Sequence, residues 1–180
     1  MFVHRNIANI IQPNDINTLS VIQYAVDHLH VKHVVLCGHT ACGGAKAALG
    51  DGPVGGVLDI WISPLKVARY LNQKELDSIK DEGAKIKRMA ELNVDAGVKV
   101  LMEDATIAKA IREKGLEVHG CIFDLASGKI VNRMIGTDTG KSKPGFAAGP
   151  SGVSGGDEIV RGKHAQLVFR DGTAESHVVG

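Results

Sequence analysis

A short apolar run, Val34-Val35-Leu36-Cys37, constrains the fold of this 180-residue chain more than any other stretch. It is continuously apolar rather than alternating. A strand of that composition is expected to be buried on both faces, as in a parallel sheet covered by helices. What precedes it fits. Over residues 18–30 the apolar residues Leu19, Ile22, Val26 and Leu29 recur at helical intervals and form one face. Pro13, Asn14, Asp15 and Asn17 supply helix-start chemistry just before them. Met1-Phe2-Val3 reads as an earlier strand, so strand, helix and strand follow one another as a βαβ unit.

The expected architecture is therefore α/β, a mainly parallel sheet flanked by helices, over residues 1–135. Residues 50–56 are glycine-rich but lack the Gly-Lys-Ser/Thr ending of a phosphate loop, and read as a surface loop or a site rim. Residues 60–114 read as several helices, punctuated by Pro64, Gly83, Asn93 and Gly97 and stopped by Gly115. Leu116, Val118, Gly120 and Ile122 alternate as a strand does. Ala126-Ser127-Gly128 is a turn, and residues 129–135 a return strand. On the first of these strands Cys121 reads as core, and His119 as a residue of opposite facing, structural or exposed. Residues 136–180 read as a flexible tail rich in glycine and serine, with an added strand at residues 166–170.

Composition narrows the function classes. The net charge of +1 gives no reason to expect a nucleic-acid surface. No apolar run approaches the roughly 20 residues of a membrane-spanning helix, and residues 1–10 carry no signal-peptide pattern. Three cysteines, Cys37, Cys42 and Cys121, are an odd number that suits a reducing compartment. The expectation is a cytoplasmic protein, or an organellar precursor if the natural chain begins earlier.

The candidate chemistry sits at the end of the apolar run. His39 and Cys42 are spaced as His-x-x-Cys and followed by Gly43 and Gly44. That pair is half of a zinc site if both residues are ligands; otherwise His39 is a hydrogen-bonded core histidine and Cys42 a buried thiol. Gly43 and Gly44 either offer backbone N–H groups to a small anion at a helix start or make a turn that only glycine tolerates. Arg5 is a candidate anion contact or a surface ion-pair residue.

Two stretches together carry a family resemblance. Phe2-Val3-His4-Arg5-Asn6-Ile7-Ala8-Asn9, followed by Cys37-Gly38-His39-Thr40-Ala41-Cys42-Gly43-Gly44, resembles the β-class carbonic anhydrases. Trp61, Glu91-Leu92-Asn93-Val94, Gly115-Leu116-Glu117-Val118-His119-Gly120, Asp124 and Gly128-Lys129 agree with it. The resemblance implies a zinc lyase, a carbonate dehydratase that interconverts carbon dioxide and bicarbonate by attack of zinc-bound hydroxide, and a homo-oligomer of two or more chains. It makes His39 and Cys42 the second and third zinc ligands. The family's first ligand lies in a Cys-x-Asp-x-Arg segment whose Asp and Arg orient the hydroxide, and that pattern does not occur in the 180 residues. A first core strand is thus expected to be missing. Three expectations compete: a natural protein that begins upstream of Met1, a catalytically impaired relative acting as a structural or interaction protein, and a rebuilt site with Cys37 as the third ligand.

Overall fold

The computed structural model describes residues 1–135, with side chains through Val131, and the backbone of three later strands. The elements run α1 (Ile16–Gln23), β1 (His33–His39), α2 (Gly43–Leu49), α3 (Gly56–Trp61), α4 (Ser63–Leu71), α5 (Gln73–Ser78), α6 (Glu82–Glu103), α7 (Ala105–Lys114), β2 (Glu117–Asp124) and β3 (Lys129–Ile135). Strands β4 (Glu158–Arg161), β5 (Gln166–Arg170) and β6 (Thr173–His177) follow. A strand stands at residues 166–170, where one was expected, but β4 and β6 also fall within the 136–180 tail that was read as flexible; the rest of that tail lies outside the described residues. The sheet order is β1-β2-β3-β6-β5-β4.

The α/β class is as expected, but the sheet is mixed. Only β1 and β2 are parallel, His33 registering with Glu117 and His39 with Phe123; the other pairings are antiparallel. The reason is the hairpin at Leu125–Gly128, which turns β3 back against β2 and leaves no room there for a crossover. Met1-Phe2-Val3 is not a strand. It carries no regular structure and is exposed, with Met1 at 97% and Val3 at 60%, because strand-forming side chains need a neighbouring strand and this segment pairs with none among the described residues.

The continuous apolar run also behaves differently from the expectation. β1 alternates: Leu36 and Gly38 are buried, whereas Val35 is 54% exposed and Cys37 is exposed. The buried residues of β1, together with Val118, Gly120 and Ile122 of β2, pack on Met89, Val94, Val98 and Leu101 of α6. The opposite face of the pair, carrying His33, Val35, Cys37 and His39 beside Glu117, His119 and Cys121, is where its exposed residues collect. His119 and Cys121 are two residues apart and so share that face, which corrects the opposite facing expected for His119. Cys121 itself is buried, at 4% exposure.

Helix α6 runs unbroken through Asn93 and Gly97, where breaks were expected. Both are buried and have tertiary reasons to be there. Asn93 Nδ2 donates to the Ala8 carbonyl at 2.7 Å. A Cβ on Gly97 would press into the Leu36 side chain, so the glycine sets how closely α6 approaches β1. Gly115 ends α7 with a left-handed φ of 68°, as the sequence indicates.

Candidate functional site

The candidate site forms where β1 ends. His39 is the last residue of β1 and half-buried. Its Nδ1 lies 2.8 Å from the Thr40 carbonyl, which can only accept. In the neutral ring Nδ1 therefore carries the hydrogen and Nε2 keeps a lone pair, the tautomer a metal ligand requires. Thr40 is clamped in turn. Its N–H donates to the Phe123 carbonyl at 2.9 Å, its hydroxyl donates to Asp124 Oδ1 at 3.1 Å, and it accepts from the Leu125 N–H at 2.9 Å. Asp124 also accepts from the Ser127 hydroxyl and N–H. The Ser127 hydroxyl first, and then that of Thr40, hold the Asp124 carboxyl below the usual carboxylate range. The β2–β3 hairpin thus fixes the carbonyl that orients the histidine.

The chain reverses at Ala41, whose φ is 55°. Cys42 follows as the residue that precedes α2, with its side chain buried at 6% exposure among Ala45 and Ala48. The turn is made by alanine, not by Gly43 or Gly44, neither of which has a positive φ. The two glycines differ. Gly43 faces open space, whereas a Cβ on Gly44 would collide with the Ala8 side chain. Close approach between α2 and the single turn Ile7–Asn9 is what requires Gly44. That turn is anchored by Asn93, and by Trp61 Nε1 donating to the Ile7 carbonyl at 2.8 Å. Arg5, just before it, is exposed. In the same segment Asn6 Oδ1 and Asn9 Nδ2 are buried without a hydrogen-bond partner among the described residues.

Cys37 lies against Cys121, its register partner on β2. The hydrogen bond from Cys121 draws the Cys37 thiol down toward the thiolate, while that same bond and burial push the Cys121 thiol up. Cys37, His39 and Cys42 do not gather their donor atoms into one cluster. Among the described residues the group that does is His33, Glu117 and His119, whose donors lie within 4.8 Å of one another. Sequence reasoning passed over this trio. The signal that finds it is the parallel register, which sets His33 beside Glu117 and puts His119 on the same face. A depression of about 320 Å³ lined by Gly50, Asp51, Lys66 and Arg69 lies elsewhere, and its arginine is already bound to Gly50 and Asp51.

Comparison with known proteins gives a consistent answer. The family model described as carbonic anhydrase matches residues 1–130. A carbonic anhydrase of Candida albicans is 44% identical over 77% of this chain and 50% of its own length. One of Emericella nidulans is 43% identical over 75% of this chain and 59% of its own. The chain thus spans about half to three-fifths of these curated relatives. Among solved structures, a tetrameric β-carbonic anhydrase of Sordaria macrospora superposes with a TM-score of 0.72 at 62% identity, covering 73% of this chain and 66% of that one. A Coccomyxa β-carbonic anhydrase in complex with acetazolamide gives 0.68 at 34% identity, covering 73% and 60%.

Proposed function

This chain belongs to the β-carbonic anhydrase family, and on that premise we propose that it is a zinc-dependent carbonate dehydratase in which His39 and Cys42 supply two of the metal's donors. Family members interconvert carbon dioxide and bicarbonate. The observation that carries the proposal is the Nδ1 bond of His39 to the Thr40 carbonyl, which leaves Nε2 as a ligand atom at the strand end three residues before a buried thiol. One imidazole and one thiolate are donors that zinc accepts. Bound zinc supplies a water of near-neutral pKa as the nucleophile toward carbon dioxide.

The chain's own residues bind and orient. Asp124 and Ser127 hold Thr40, Thr40 holds the His39 ring, and Ala41 swings Cys42 back into the apolar cluster beside α2. The third donor comes from outside this pair. The Asn6 and Asn9 side-chain atoms that lack partners mark the Arg5–Asn9 segment as one that accepts further polar contacts.

We also propose a homo-oligomer in a reducing, cytoplasmic setting. Val57 and Ile60 of α3 and Tyr70 and Leu71 of α4 are 74–83% exposed, an apolar surface that assembly would cover. The test is elemental zinc analysis, carbon dioxide hydration by stopped flow and light scattering on the purified chain. Bound zinc, hydration above background, loss of hydration and of the thiolate-ligated equivalent of zinc in His39→Ala and Cys42→Ser, and a mass above one chain are expected. Folded protein that takes up no zinc and hydrates nothing overturns the enzyme reading and leaves a structural or interaction role.

A further inference from the structure

We propose that His33, Glu117 and His119 form a second metal site of zinc type, separate from His39 and Cys42. The trio stands at the starting ends of β1 and β2, on the face where their exposed residues collect. His33 and His39 are at opposite ends of β1, so at the strand's rise the two sites are about 20 Å apart.

The donor geometry is the main argument. His33 Nδ1 lies 3.2 Å from His119 Nε2. Glu117 Oε2 lies 3.5 Å from His33 Nδ1 and 3.4 Å from His119 Nε2. A tetrahedral ion with bonds of about 2.0–2.1 Å holds its ligand atoms about 3.3 Å apart. The three atoms are therefore the base of a tetrahedron whose centre an ion of that size fills and whose fourth corner is left for water. Octahedral magnesium at similar bond lengths needs adjacent donors at about 3.0 Å and prefers oxygen, so the triangle selects against it.

The scaffold is preorganised. His33 and Glu117 are register partners in the parallel pair, and the Glu117 N–H donates to the Lys32 carbonyl at 2.9 Å. His119 follows two residues on, with its ring tilted toward that of His33 at a centroid distance of 5.3 Å. Both strands fix their side-chain directions before any ion arrives. Two imidazoles and one carboxylate bring a single negative charge to a divalent cation. The site is open to water, with side-chain exposures of 41% for His33, 51% for Glu117 and 20% for His119.

Without an ion the same three groups can share hydrogen bonds, and the experiment separates the two cases. Cobalt(II) is titrated into the metal-stripped full chain, without any histidine tag, and followed by visible absorption and by thiolate-to-cobalt charge transfer in the near ultraviolet. A tetrahedral band without a charge-transfer component, at one equivalent per chain, is expected from this site. His119→Gln and His33→Gln should each weaken that component at least about tenfold while leaving the thiolate component and the far-ultraviolet circular dichroism unchanged. A chain that shows no thiolate-free component, or a His119→Gln chain that binds as tightly as the parent, overturns the proposal.

Discussion

Replacing Gly44 by alanine sets a methyl group against Ala8, and replacing Gly43 does not; this adjacent pair tests the packing argument at the candidate site. On Gly44 the new Cβ collides with the Ala8 Cβ and stands 3.5 Å from its Cα and 3.8 Å from its N. Ala8 cannot swing aside, because its side chain is one rigid atom and its turn is tied by Asn93 and Trp61. The backbone of Ile7–Asn9 must therefore move. Overpacking of this kind costs about 1–3 kcal/mol, and the rigid neighbour places it in the upper half of that range. Alanine recovers up to about 1 kcal/mol through its helix preference over glycine. The net loss is about 1–2 kcal/mol, a fall in Tm of about 2–8 °C for a domain of this size. Gly43→Ala meets nothing within 4 Å and keeps only the helix gain, so its Tm should hold or rise slightly. Thermal and urea unfolding followed by circular dichroism, run side by side, measure both. Equal midpoints for the two variants, or a Gly44→Ala protein as stable as the parent, would refute the reasoning.

Other perturbations follow from the same contacts. Asn93→Ala removes the donor to the Ala8 carbonyl and should cost about 1–3 kcal/mol in urea unfolding. Combined with Gly44→Ala it should cost less than the sum, since both act on one turn; strict additivity would show that they do not share it. Asp59 accepts from the Val54 and Gly55 N–H groups and from Lys66, and the Lys66 contact above all lowers its pKa from 3.8 to about 2. A carboxyl lowered on folding stabilises above its unfolded pKa, so this contribution is complete above about pH 4 and is lost as pH falls through about 2. Tm profiles of the parent and Asp59→Asn should differ at neutral pH and converge at pH 2; parallel profiles would count against the assignment.

The elements most legible in the sequence were those written in local chemistry. Alternation over Leu116–Ile122, the Ala126-Ser127-Gly128 turn and the Gly115 stop gave the β2–β3 hairpin and the end of α7. Asn93 and Gly97 misled because their reasons lie in contacts distant along the chain, a carbonyl at Ala8 and a side chain at Leu36. Met1-Phe2-Val3 misled because strand propensity is expressed only on pairing, and this segment pairs with no strand among the described residues. The His39–Cys42 pair was legible from its spacing, but the tautomer that makes His39 a donor depends on a carbonyl whose position the distant hairpin fixes. His33, Glu117 and His119 come together only through register, which no single stretch of sequence states.

Among the described residues β1 stands at the edge of the sheet, and this has a consequence for its backbone. The Thr40 N–H points across to Phe123, and Lys32 offers its carbonyl to Glu117 on the same side. Peptide alternation then turns the amides of Val34, Leu36 and Gly38 toward β2 and those of Val35, Cys37 and His39 away from it. The strand contains two populations of amide protons. With no strand beyond β1 among the described residues, the outward set is expected to exchange with deuterium without detachment of β1 from β2, and the inward set only with it. Neighbouring residues on one strand thus differ in protection by the full free energy of that detachment.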